Sequence, residues 1–70
     1  MLQVNIEREP VELYKILKFE GLAASGGEAK LVIAEGQVTV NGEVETRKRR
    51  KIVSGDTIVF RGETLQVRLV

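Results

Sequence analysis

The sequence predicts an α+β fold in which a pair of helices packs against a small, mostly antiparallel sheet of about four to five strands. Three observations carry this prediction. Apolar residues alternate with polar ones at Leu2, Val4, Ile6 and again at Leu65, Val67, Leu69, the period of half-buried strands. Between them, Leu13, Ile16, Leu17 and Ala29, Val32, Ile33 follow the three-and-four spacing of helices with one buried face. Two dipeptides suited to tight hairpin turns, Asn41-Gly42 and Arg61-Gly62, separate strand-like runs in the second half of the chain.

Taken in order, residues Leu2 to Ile6 form an expected edge strand. Pro10 suits the first turn of a helix because its missing amide would be unpaired there, and Glu9 and Glu12 suit the positive end of the helix dipole. The first helix is therefore expected to start near Pro10 and to stop at Gly21. Its face Leu13, Ile16, Leu17 is buried, and Lys15 and Lys18 share another face. Leu22 to Ala24 make a connection too short for a domain linker, so the two helices should pack as a pair. Ser25 and Glu28 have the spacing of a capping box, which opens the second helix at Ser25. Small Ala29 permits close approach, and Lys30 points away from the buried stripe. Gly36 ends that helix, and Val38 and Val40 begin a strand.

Asn41-Gly42 supplies the positive backbone dihedrals of a hairpin turn. A two-residue loop pairs Val40 with Glu43 and turns Val44 away from the core; a longer loop returns Val44 to it. The register of this hairpin is thus left open by the sequence. Ser54-Gly55-Asp56 is a turn cluster leading into a strand at Thr57 to Phe60, and a last strand should bury Leu65, Val67 and Leu69. Phe19 and Phe60 are expected in the core.

Seventy residues form one domain, close to the size at which a hydrophobic core alone barely holds a fold. The chain has no Cys and no His, which excludes disulfides and the commonest zinc sites and leaves a cytoplasmic protein as the expectation. No leader-like opening and no apolar run near the roughly 20 residues of a bilayer span is present, so neither export nor membrane insertion is expected. Net charge is only +1, but its distribution is uneven. Five of the eleven basic residues fall in Arg47-Lys48-Arg49-Arg50-Lys51, leaving six basic against ten acidic residues elsewhere, a balance of −4. One basic pole on a mildly acidic body orients a molecule toward a negatively charged surface.

The order of features from Ser25 onward resembles the small RNA-binding domain named after ribosomal protein S4, found in proteins that handle rRNA and tRNA and as short stand-alone bacterial proteins. Ser25, Glu28 and Ala29 match the opening of its second helix. Lys30, Leu31 to Ile33 and Gly36 match the basic residue, apolar patch and glycine that follow. Val38, Val40, Asn41 and Gly42 match its strand and turn, and Gly55, Asp56 and Ile58 match a later Gly-Asp-x-Ile. The likeness covers most of the chain. One position departs: many members carry Arg directly after the serine, where this chain has Gly26 and Gly27, so the second helix is expected to begin without that phosphate contact.

The resemblance implies RNA as the partner, and Arg47, Lys48, Arg49, Arg50 and Lys51 are the first candidates to meet it. Guanidinium forks grip phosphate oxygens in pairs, whereas Lys48 and Lys51 act as point charges. The alternative for such a run is a solvated, mobile segment. Lys15, Lys18 and Lys30 would extend the basic pole onto the helical wall of a groove that the resemblance places between the helix pair and the hairpin; their alternative is solubility. Ser25 and Asn41 are further candidate contacts, although Ser25 reads first as a cap and Asn41 as a turn residue, in a turn that the resemblance puts near RNA. With Tyr14, Phe19 and Phe60 as the only aromatics, stacking platforms for single strands are few, which favours structured RNA of the rRNA or tRNA class read by backbone and shape.

Catalysis is not expected. Without His or Cys the inventory of bases and nucleophiles is short, and Glu43 and Glu45 read as surface charge that can also balance the neighbouring cations. Gly26-Gly27 lacks the spacing of either nucleotide-binding glycine motif. No cofactor or metal is called for, and a monomer is the default. A second function class stays open: an adaptor whose basic loop docks on an acidic protein partner. A ubiquitin-like modifier would need a flexible Gly-Gly tail, whereas this chain ends Arg68-Leu69-Val70 on an apparent strand.

Overall fold

A computed structural model describes residues 1–70. Seven strands and two helices follow in the order β1 (Leu2–Ile6), β2 (Val11–Glu12), α1 (Leu13–Phe19), α2 (Gly26–Ala34), β3 (Val38–Val40), β4 (Glu43–Val44), β5 (Lys51–Ile52), β6 (Thr57–Phe60) and β7 (Glu63–Leu69). The main sheet has the order β1-β7-β6-β3-β4, and β2 with β5 forms a separate two-stranded ribbon. All pairings are antiparallel except β1 with β7, which run parallel from Leu2 opposite Leu65 to Ile6 opposite Leu69. The helix pair and mixed sheet are the α+β architecture expected, with β1 on an edge.

The core is one cluster in which Leu13, Ile16 and Leu17 of α1 and Ala29, Val32 and Ile33 of α2 meet the inward residues Val4, Val38, Val40, Ile58, Phe60, Leu65 and Val67 of the sheet. Fully burying a side chain such as Leu17 or Phe60 contributes about 1.5–3 kcal/mol, so these residues supply the main driving force. Both helices stop in the same way. At α2 the amide of Gly36 donates to the Ile33 carbonyl and that of Gln37 to the Val32 carbonyl, a Schellman closure that requires the positive φ of Gly36 (+78°).

The first helix starts at Leu13, three residues later than expected. Val11 and Glu12 are drawn into the ribbon instead, paired with Ile52 and Lys51, and the Glu9–Pro10 peptide bond is cis. Phe19 is a second correction: it is 69% exposed. It lies roughly a third of a turn away from the stripe of Leu13, Ile16 and Leu17, so the helix carries it outward. Leu69, expected in the core, is also exposed, because β6 pairs with β7 only as far as Gln66 and the end of β7 has β1 alone beside it.

The hairpin takes the two-residue loop. Val40 pairs with Glu43 and Thr39 with Val44, and Asn41 (φ 53°) and Gly42 (φ +85°) both adopt the left-handed conformation that matches strand twist. Val44 therefore faces solvent.

Candidate nucleic-acid interface

The run Arg47 to Lys51 leads from β4 into the first residue of β5, and its backbone is fastened to the start of α1. The first amides of any helix lack partners within it. Here Leu13 N donates to the Arg50 carbonyl at 2.9 Å and Tyr14 N to the Lys48 carbonyl at 3.1 Å. A turn bond from Arg50 N to the Arg47 carbonyl (3.1 Å) closes the loop on itself, and the Glu12–Lys51 pairing holds its far end. The alternative of a solvated, mobile run is not what the structure shows: the loop's backbone is hydrogen-bonded to α1 and to itself.

Its side chains are tied as well. Glu45 is only 6% exposed, and its carboxylate accepts from Arg47 N (2.9 Å), Arg47 Nε (3.0 Å), Arg47 Nη2 (3.1 Å) and Arg50 Nη1 (2.7 Å). The reading of Glu45 as surface charge is corrected on this point, while its balancing of the cations holds. The hydrogen bonds from Arg47, joined by Arg50 and opposed by burial, hold the Glu45 carboxyl down to about 2. The same pair raises Arg47 above its ordinary value. Glu12 plays a lesser, half-buried part: it bridges Lys15 and Arg49, each at 3.3 Å, and the hydrogen bond from Lys15 lowers its pKa.

Tyr14 is the junction of the surface. Its ring, half-buried on α1, has Lys30 Nζ of α2 at 4.7 Å from the centroid, with Lys15 Nζ and the Arg49 guanidinium each at 6.0 Å. Three cations from two helices and the loop thus crowd one aromatic quadrupole. Beside it, Gly26 opens α2 so close to the ring that a Cβ there would stand 3.9 Å from Tyr14 Cε2. An open concavity of about 380 Å³ is lined solely by Arg47, Arg49, Arg50 and Lys51.

Of the residues singled out by the sequence, the structure brings together Arg47, Lys48, Arg49, Arg50, Lys51, Lys15 and Lys30. Lys18 is exposed one helical turn beyond Tyr14. Ser25 caps α2, its Oγ accepting from Glu28 N at 3.1 Å. Asn41 is engaged internally: its Nδ2 donates to Asp56 Oδ1 (3.0 Å) and its Oδ1 accepts from Thr57 N (2.9 Å), which binds the hairpin to the start of β6. Sequence reasoning missed Tyr14 and the buried role of Glu45. The signal for Glu45 was its place two residues ahead of the cations; nothing local marks Tyr14.

Two carboxylates, Glu12 and Glu45, stand among seven cations, so the surface keeps a strong positive excess suited to a polyanion. No group of His, Cys, Asp and Glu is arranged to hold a metal ion, and no helix is long and apolar enough to cross a membrane.

Residues 4–68 match the family model described as the S4 domain. The chain is 60% identical over 68 residues to "Putative RNA-binding protein YbcJ" of Escherichia coli (strain K12), covering 96% of this chain and 97% of that protein. It is 36% identical over 59 residues to "Probable ribosome maturation protein RlbA" of Bacillus subtilis (strain 168), covering 84% and 83% respectively. Among solved structures it is similar to the solution structure of E. coli YbcJ, described as revealing an ALFAL motif involved in RNA-binding. That superposition has a TM-score of 0.74 with 51% identity, over 97% of this chain and 87% of the other.

Proposed function

The chain belongs to the S4 domain family, and from that membership we propose that it is a non-catalytic protein that grips structured RNA, of the rRNA or tRNA class, on the surface around Tyr14. RNA binding as such is supported by the family and by the relatives named for it. The observation that carries the finer reading is the fastening of the Arg47 to Lys51 backbone across the start of α1, which places the loop cations beside Lys15 and Lys30 on one side of the molecule.

In this reading Lys48, Arg49 and Lys51 are the principal phosphate contacts. Arg47, 73% exposed, and Arg50, 33% exposed, hold Glu45 and offer their remaining donors. Lys15, Lys18 and Lys30 extend contact along the helices. Ser25 and Asn41 shape the surface rather than touch the ligand. Backbone contacts of this kind read shape, and a fixed loop suits a folded RNA. The naming of the B. subtilis relative for ribosome maturation favours rRNA within that class. A monomer acting in the cytoplasm is part of the same proposal.

The test is a fluorescence-anisotropy titration of labelled rRNA and tRNA fragments with wild-type protein and with a Lys48, Arg49, Lys51 triple Gln variant, at two salt concentrations. Three to five phosphate contacts give a log–log salt slope of roughly −0.7 to −0.9 per phosphate. Salt-sensitive binding lost in the variant supports the reading. Equal binding by both, or none by either, rejects it and turns attention to an acidic protein partner for the same loop.

A further inference from the structure

An acidic residue buried beneath a phosphate-binding surface opposes the ligand by Coulomb's law, and Glu45 is such a residue. It is built into the fold rather than merely near it. Its amide donates to the Val38 carbonyl at 2.9 Å, which extends the β3–β4 pairing, and its side chain reaches back under the basic loop. Both carboxylate oxygens are occupied, Oε2 by the Arg47 amide and Nε, Oε1 by Arg47 Nη2 and Arg50 Nη1. The two long, rotamer-rich side chains are thereby tied to one carboxylate before any ligand arrives.

Resting on the RNA-binding reading, we infer that Glu45 is a positioning residue: it fixes Arg47 and Arg50 so that the loop prefers a folded RNA of set phosphate spacing over a flexible single strand. The physical ground is preorganisation. A ligand that meets immobilised donors does not have to order them, and only a ligand whose phosphates already match their spacing gains fully from this. A flexible strand adapts to loose cations as readily as to fixed ones, and it responds mainly to net charge.

Charge alone and preorganisation predict different outcomes. Glu45→Gln raises the net positive charge by one unit, so simple attraction tightens binding of every RNA. Preorganisation instead lowers the preference for folded RNA. The experiment titrates full-length wild type and E45Q with a labelled rRNA hairpin and with a labelled oligouridylate of equal length, at one salt concentration, with circular dichroism confirming the fold. A second variant, Glu45→Met with Arg50→Met, removes the buried charge together with a partner and leaves net charge unchanged, so it reports even where E45Q is poorly folded.

The ratio of hairpin to oligouridylate affinity is expected to fall about tenfold in E45Q, the scale set by releasing two ordered side chains, and about threefold in the double variant, where Arg47 alone is released. A ratio equal to wild type in folded variants overturns the positioning role, whether both affinities rise, as charge alone demands, or fall together. Failure of the wild type to bind the hairpin overturns the RNA reading itself, and is distinguishable because it appears before any variant is compared.

Discussion

Lys30 Nζ on α2 stands 4.7 Å from the centroid of the Tyr14 ring on α1. This one contact joins the helix pair to the basic surface, since the same ring lies under Lys15 and Arg49. The aromatic side chain is therefore the point at which three cations from separate parts of the chain converge, two of them also tied by Glu12.

Replacing Tyr14 by Leu keeps an apolar side chain against α2 and removes the quadrupole. The loss of cation–π attraction, about 0.5–1 kcal/mol at an exposed site, lets the three cations spread. RNA affinity is expected to fall several-fold while Tyr14→Phe retains it. Anisotropy titration of the three proteins, each checked by circular dichroism, tests this; equal affinities would show that the ring does no more than fill space.

Arg50 and Lys48 are neighbours in a run of like charge but differ in what they hold. Arg50→Gln takes a short charge-assisted bond from buried Glu45 and is expected to cost about 1–3 kcal/mol of stability. Lys48→Gln has no such partner to strand and should change stability by less than about 0.5 kcal/mol. Denaturant unfolding of both variants decides the matter, and equal midpoints would remove the distinction between supporting and contacting cations.

Acid should loosen the loop. The Glu45 carboxyl has its pKa depressed in the folded protein, from 4.5 to about 2, so the unfolded chain takes up the proton first as pH falls. Its contribution is complete above pH 4.5, declines below it, and is gone once pH has fallen through about 2. Glu12, lowered in the same direction by Lys15, adds to the trend. The stability difference between wild type and E45Q is expected to shrink steadily across that window; a difference independent of pH there contradicts the pairing.

Ser25→Ala separates capping from ligand contact. Loss of the bond to Glu28 N should cost about 1 kcal/mol and lower Tm by about 4–8 °C. RNA affinity of the folded protein is expected to be unchanged. A Tm equal to wild type with weakened binding would make Ser25 a contact instead of a cap.

Much of this architecture was legible because local signals agreed with tertiary ones. Ser25, Gly36 and Asn41-Gly42 each dictate backbone geometry within a few residues, and the second helix and the hairpin appear where those residues place them. The start of α1 was misread because Pro10 and Glu12 carry a helix-opening pattern that pairing with Lys51 and Ile52 overrides, a contact some forty residues distant. The basic run was legible as a candidate site from its composition. Its order was not, because it comes from helix amides of Leu13 and Tyr14 and from a carboxylate that sequence alone could only count as charge. Tyr14 was hidden for a related reason: its neighbours Lys30 and Arg49 are brought to it only by folding.

The parallel pairing of β1 with β7 has a consequence for assembly. β1 has no other strand beside it, and its partner is β7, some sixty residues further along the chain. During synthesis Leu2 to Ile6 emerge well before Leu65 to Leu69 and have no strand to dock on until those follow. Closing so long a loop is entropically slow compared with forming a local hairpin. The strand of this domain made earliest is therefore the last to find its place, and the sheet completes only after translation of the domain has finished.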